Sequence, residues 1–175
     1  MEVQPWHRFY GEGVPAEVEI PTMEVFKLLE RSYKDYPEYT AIIDGERIWS
    51  YKELYEDAVC LAASMREEGF KKGERTALML SNSAEYIISY FAIQKLGGIV
   101  VQVNPMYQSS EIQYLIEDSQ LSWFILHEQQ SPKFSSLDVS DIHFVYVRPS
   151  GREAAESGHD FLVDDQQTFP AGRSA

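Results

Sequence analysis

The sequence predicts an α/β fold in layers, with a mainly parallel sheet flanked by helices. Apolar runs of strand length at residues 76–80, 99–103 and 123–126 alternate with segments of helical periodicity. The connections between these runs are long enough for a helix, so parallel strands with right-handed crossovers are expected. Apolar residues make up 44% of the chain and aromatic residues 13%, a composition that supports a packed core.

The first 21 residues are not expected to form a long helix or strand. Residues 1–21 are predicted to form an irregular arm, because proline and glycine interrupt them at Pro5, Gly11, Gly13, Pro15 and Pro21. Helical spacing of apolar residues begins after Thr22, which is a candidate N-cap. Pro37 is expected to stop this first helix.

A hairpin and a second helix follow. Residues 41–43 and 47–49 are short β-prone runs joined through Asp44-Gly45, a dipeptide suited to a tight turn. Ser50 and Glu53 have the spacing of a capping box, so a helix should begin at Ser50. Its predicted buried stripe is Leu54, Ala58, Leu61, Ala62 and Met65, and Gly69 is its predicted terminator.

The remaining elements complete the layered pattern. Asn82 and Glu85 have capping-box spacing before a largely buried helix that ends at Gly97-Gly98. A short helix is predicted over 110–118 and a last strand over 141–147. We therefore divide the chain into an arm (1–21), an α/β subdomain (22–147) and a loosely ordered tail (148–175).

Charge and cysteine content exclude several classes of protein. The formal net charge is -13, so the phosphate backbone of a nucleic acid would be repelled. One cysteine, Cys60, excludes an internal disulfide framework. The chain contains neither a signal-peptide pattern nor about 18 consecutive apolar residues. We expect a cytoplasmic protein without a transmembrane segment.

The residues suggest no catalytic, cofactor-binding or metal site. Gly11-Glu12-Gly13 follows no strand, and Gly97-Gly98 follows a helix, where a C-cap explains it. The serines at predicted helix starts are interpreted as caps, and none lies in a Gly-x-Ser-x-Gly turn: Ser81, Ser83, Ser109 and Ser110. The histidines are too far apart in sequence for a metal motif: His7, His127, His143 and His159.

Three passages, in order along the chain, resemble the adenylate-forming superfamily of acyl-CoA synthetases, luciferases and peptide-synthetase adenylation domains. They are residues 41–54 (AIIDGERIWSYKEL), 73–83 (GERTALMLSNS) and 90–107 (YFAIQKLGGIVVQVNPMY). The similarity extends over about residues 5–128 and is closest to bacterial fatty-acyl-CoA ligases of medium or long chain preference. Ser81 and Gln102 stand where the family commonly has proline.

The resemblance implies a two-step reaction. ATP and a fatty acid give an acyl-adenylate and pyrophosphate, and the CoA thiol then displaces AMP, with Mg²⁺ assisting the first step. The family's phosphate-binding loop, Thr-Ser-Gly-Thr-Thr-Gly-x-Pro-Lys-Gly, does not occur in residues 1–175, and the catalytic lysine of the family lies in a later domain. We therefore expect an N-terminal fragment of a fatty-acid-CoA ligase that is inactive alone, with ATP, Mg²⁺ and CoA used by the full-length enzyme.

Two other hypotheses compete with this one. The chain could be a non-catalytic interaction module that pairs with itself or with a ligase through its severed sheet. It could instead be an unrelated flavodoxin-like nucleotide binder, which requires a phosphate-binding turn after residue 80 or 103. Both turns lack glycine, so this last hypothesis ranks third.

Overall fold

The computed structural model describes residues 4–147 and, for the backbone alone, residues 161–164. Residues 4–21 of the arm contain no strand and one 3-10 turn, His7–Phe9. Helix α1 spans Phe26–Asp35, so the predicted start was wrong: Val25 is the N-cap, without a side-chain hydrogen bond. The chain enters α1 through turn hydrogen bonds, including Lys27 N to Glu24 O at 3.0 Å, and these need no capping hydroxyl. The helix ends before Pro37, as predicted.

The hairpin and the second helix confirm the local signals. Strands β1 (Thr40–Asp44) and β2 (Arg47–Ser50) pair antiparallel, and Gly45 has a φ of 59°. Helix α2 spans Tyr51–Glu67. Its capping box is formed, because Glu53 N donates to Ser50 Oγ at 3.2 Å and Ser50 N donates to Glu53 Oε2 at 2.7 Å. The whole predicted stripe of α2 is buried.

The larger sheet has the order β4-β3-β5-β6-β7. Strands β4, β3, β5 and β6 run parallel to one another, and β7 is antiparallel to β6. This arrangement confirms the mainly parallel sheet flanked by helices. In chain order the elements are β3 (Arg75–Met79), α3 (Ala84–Lys95), β4 (Ile99–Gln102), α4 (Ser109–Ser119), β5 (Trp123–His127), a 3-10 segment (Glu128–Phe134), β6 (His143–Val147) and β7 (Phe161–Asp164).

Strand β7 lies within the tail that the sequence predicted to be loosely ordered. Residues 161–164 pair with β6 from Phe144↔Asp164 to Val147↔Phe161. The pairing is non-local, so the local composition of the segment does not reveal it. The rest of the predicted tail, 148–160 and 165–175, lies outside the described residues.

Strands β3, β5 and β6 bury residues on both faces of the sheet, and each face packs against a separate apolar cluster. Leu78, Ile125 and Val145 pack in a cluster with residues of α1, α2 and α3. Their sequence neighbours, including Ala77, Phe124 and Phe144, pack in a second cluster with Ile112 of α4 and Phe134. Successive strand residues point to opposite faces, so α3 and α4 cover opposite sides of the sheet.

At the start of helix α3, the interpretation of Ser83 as a cap is confirmed, while the capping box of Asn82 and Glu85 is not. Ser83 is the N-cap and accepts from Tyr86 N at 3.3 Å, so the predicted capping box of Asn82 and Glu85 does not form. No residue of α3 is exposed, which confirms the largely buried helix. The glycines after it form a C-cap, as predicted: Gly97 has a φ of 72°, and Gly98 N donates to Ile93 O at 3.0 Å.

Candidate functional site at the carboxyl edge of the sheet

The strand order creates a topological switch point between β3 and β5. These strands are neighbours, but the chain leaves β3 toward α3 on one face and leaves β5 toward the 3-10 segment on the other. Ligands of open parallel sheets bind outside the carboxyl ends of the strands at such a point. The candidate site is therefore built by the loops after β3, β5 and the neighbouring β4.

The loop after β3 already uses the amides that could cradle an anion. Ala84 N donates to Asp44 Oδ2 at 2.9 Å, and Tyr86 N donates to the Ser83 hydroxyl. A phosphate at a helix N-terminus needs such amides free. Asp44 also places a carboxylate where a phosphate would sit, so the start of α3 does not fit a phosphate group.

A cleft of about 310 Å³ opens beside this loop. Its walls combine isoleucine side chains of β1 and α3 with the polar groups of Asp44 and the loop after β3. The lining residues are Ile42, Ile43, Asp44, Asn82, Ser83, Tyr86 and Ile87. The cleft therefore offers an apolar wall with an acidic rim, which suits an apolar group better than an anion.

The loop after β4 is tied to the segment after β5. Lys133 Nζ donates to Pro105 O at 2.7 Å, and Ser109 Oγ donates to Lys133 O at 2.7 Å. The sequence prediction of Ser109 and Ser110 as caps was wrong, since α4 begins at Ser109 and its N-cap is Gln108. Lys133 was missed because its partner is 28 residues away and leaves no local pattern.

His127 ends β5 at the switch point. Its Nδ1 atom is buried and has no hydrogen-bond partner among the described residues. Buried polar atoms in native proteins are nearly always paired, so Nδ1 marks a place where a further donor or acceptor belongs. Sequence reasoning considered His127 only as a metal ligand and missed this feature, which depends on burial.

Other predicted features lie away from this edge. His143 begins β6 and stacks on Trp123 with ring centroids 4.5 Å apart, and His159 lies outside the described residues. Gly11-Glu12-Gly13 precedes every strand of the chain's described part. Within residues 4–147, no three His, Cys, Asp or Glu side chains are grouped closely enough to hold a metal ion. None of the helices described here has the length and apolarity needed to cross a membrane.

Comparison with known proteins agrees with this architecture. The family model of the AMP-binding enzyme matches residues 29–171. A long-chain-fatty-acid–CoA ligase of Bacillus subtilis (strain 168) is 35% identical over 130 residues, which cover 74% of this chain and 23% of the relative. Tyrocidine synthase 2 of Brevibacillus parabrevis is 37% identical over 119 residues, covering 66% of this chain and 3% of that protein.

A solved structure shows the same fold. The anthranilate CoA ligase AuaEII, in complex with anthranoyl-AMP, superposes with a TM-score of 0.63 at 26% identity, covering 67% of this chain and 23% of that one. The chain thus spans about a quarter of the length of these ligases, and it corresponds to the N-terminal part of the fatty-acid–CoA ligases. Since the family model covers most of the sequence and the sheet has the ligases' fold, this chain belongs to the AMP-binding enzyme family, the adenylate-forming ligases.

Proposed function

We propose that this chain is the N-terminal scaffold of an ATP-dependent fatty-acid–CoA ligase, which forms an acyl-adenylate and then an acyl-CoA. The observation that carries the proposal is the 35% identity with the Bacillus subtilis long-chain ligase over 74% of the chain. The family motifs in residues 41–54, 73–83 and 90–107 support it. The proposal places the protein in the cytoplasm, with residues 22–147 as its folded unit.

The same proposal includes inactivity of the polypeptide 1–175 alone. ATP, Mg²⁺ and CoA would serve the longer ligase, and bound Mg²⁺ would neutralise phosphate charge there. The described residues do not fit the phosphates, because Asp44 and Ser83 occupy the amides at the start of α3. The loop that would hold the phosphates is also missing from the sequence. The role of this chain is then to support that loop, and no step of the reaction is assigned to its residues.

Two assays test this proposal. Purified 1–175 should give no ATP–pyrophosphate exchange with fatty acids of medium or long chain; measurable exchange would contradict the inactivity. A chimera should replace the matched region of the Bacillus subtilis ligase with this chain's. We expect it to form AMP with a fatty acid and CoA, as the parent does.

The chimera also tests which class of carboxylic acid the enzyme accepts. Tyrocidine synthase 2 is as similar to this chain as the fatty-acid ligase is, so amino acids are the control substrates. A chimera that is folded by circular dichroism but inert with every fatty acid would count against the proposed scaffold role.

A specific observation favours the interaction module as a second candidate function. Ile43 and Ile48 are cross-strand neighbours on the hairpin, yet they are 71% and 56% exposed. Ile43 also lines the cleft, together with Ile42 and Ile87. Exposed apolar patches of this kind are typical of protein interaction sites. The pair would dock a second copy or a complementary ligase fragment.

Light scattering after size exclusion tests this second candidate. The module hypothesis expects association of 1–175 that grows with salt, since screening weakens repulsion between chains of net charge -13. The Ile43→Thr/Ile48→Thr double variant should be monomeric. Leu28→Gln, at an exposed position of α1 and away from both the hairpin and the sheet edges, is the control. A monomeric parent at all concentrations would argue against self-association.

A further inference from the structure

The loop between β4 and α4 is held by hydrogen bonds that do not involve the exposed side chain of Met106. Asn104 Oδ1 accepts from Met106 N at 2.9 Å, and Gln108 Nε2 donates to Met106 O at 3.0 Å. Tyr107 N donates to Asn104 O at 3.0 Å. Lys133 adds the hydrogen bond to Pro105 O. Both backbone polar groups of Met106 are therefore satisfied while its thioether is left out of the network.

The methionines of the described residues differ sharply in access to solvent. Met106 is 76% exposed and Met23 is 43% exposed. Met65 and Met79 are fully buried, one in each apolar cluster. Peroxide must reach the sulfur atom, so the oxidation of methionine follows exposure. The structure thus ranks Met106 first, Met23 second, and the two buried residues last.

We propose that Met106 is a reversible oxidation site of this protein. A peroxide transfers one oxygen atom to the sulfur, which is oxidised by two electrons to the sulfoxide, while hydrogen peroxide is reduced to water. The reverse step takes two electrons and two protons from a dithiol, through a methionine sulfoxide reductase, and releases the oxygen as water.

The network around the loop predicts that the fold tolerates the sulfoxide. The hydrogen bonds use the backbone of Met106 and the side chains of Asn104, Gln108 and Lys133, and none of them uses the sulfur. Oxidation therefore replaces an apolar group with a polar one at the carboxyl edge of the sheet and leaves the loop in place. The oxidation itself does not depend on the proposed ligase function, so a negative result would leave that function untouched.

The test treats intact, folded 1–175 with graded hydrogen peroxide and follows each methionine by peptide mass spectrometry. We expect Met106 to gain one oxygen several-fold faster than Met23, and Met65 and Met79 to react only when the chain is unfolded. Met1 lies outside the described residues and is quantified on its own peptide. Reductase and dithiothreitol should restore the mass of Met106 without denaturant.

Met106→Leu is the control variant, because it keeps the size and apolar character of the side chain. It should lose the fast phase and keep the unfolding midpoint of the parent. The proposal is overturned if Met65 or Met79 reacts as fast as Met106 in the folded chain. It is also overturned if Met23 reacts faster, or if the Met106 sulfoxide unfolds the protein.

Discussion

Gly98 is the residue whose environment most directly forbids a side chain. A Cβ atom there would lie 2.6 Å from Phe70 Cζ and 2.8 Å from Ile93 Cγ2, and both neighbours are buried. We predict that Gly98→Ala lowers the free energy of unfolding by about 1–3 kcal/mol through overpacking, measured by urea denaturation. Gly11→Ala is the control, since nothing lies within 4 Å of its Cβ position. Equal midpoints for the two variants would contradict the packing argument.

Glu53 gives the start of α2 a dependence on pH. The backbone amide of Ser50, and then its hydroxyl, lower the pKa of Glu53 by hydrogen bonding to the carboxylate, although burial opposes the shift. A carboxyl with a lowered folded-state pKa stabilises the fold above its unfolded pKa, and this contribution disappears as pH falls through the folded pKa.

The corresponding variant is Glu53→Gln, which keeps an acceptor but removes the charge. At pH 7 it should cost roughly 0.3–1 kcal/mol. The difference from the parent should begin to shrink as pH falls below the usual glutamate pKa of about 4.3, and it should vanish only below the lowered folded-state pKa. Urea unfolding at several pH values measures it. Glu56→Gln, an exposed position of the same helix, controls for net charge. A difference that persists in acid would show that the charge is not the cause.

At the scale of elements, Asp44 joins the hairpin to α3. Its carboxylate accepts from Ala84 N, 40 residues away, and thereby serves as a cap supplied by another element. We predict that Asp44→Ala costs about 1 kcal/mol of stability and speeds hydrogen exchange at the Ala84 amide. Glu46→Ala, at an exposed position of the same hairpin, should do neither. Unchanged exchange at Ala84 in Asp44→Ala would contradict this link.

Some of the helix ends could be predicted from the sequence, and others could not. The capping box of Ser50 and Glu53 and the C-cap at Gly97 were predictable, because their partners lie within a few residues. Thr22 failed as a cap because apolar spacing locates a helix better than it locates its first residue. Ser83, and not Asn82, is the N-cap of α3, and Asp44 caps a further amide, Ala84 N, through a contact distant in sequence.

The candidate site was the least predictable part. The layered parallel sheet follows from alternating patterns, but the order β4-β3-β5-β6-β7 does not. The switch point is a consequence of that order. The hydrogen bond of Lys133 depends on loops that are distant in sequence and meet at this edge of the sheet. The buried Nδ1 of His127, which has no hydrogen-bond partner among the described residues, is likewise visible only in the folded structure.

For the whole molecule, the two apolar clusters lie between residues 26 and 147, which motivates our proposal of 22–147 as the folded unit. Limited chymotrypsin digestion should cut first in the arm, where Trp6, Phe9 and Tyr10 are exposed. Trp123 and Phe124, buried in β5, should resist. Mass spectrometry of the timed products identifies the cuts. Early cleavage at β5 would contradict a single folded unit.

The position of β3 between β4 and β5 has a consequence during synthesis on the ribosome. Strand β3, helix α3 and strand β4 can assemble as one βαβ unit, but the other edge of β3 stays unpaired until β5 has been synthesised. Trp123 of β5 lies 49 residues after Glu74, so at about 5–20 residues per second the nascent chain carries an open strand edge for roughly 2–10 s. An unpaired strand edge is a template for pairing with another chain. We therefore expect the emerging chain to be most prone to association with other chains in the interval before β5 covers this edge of β3.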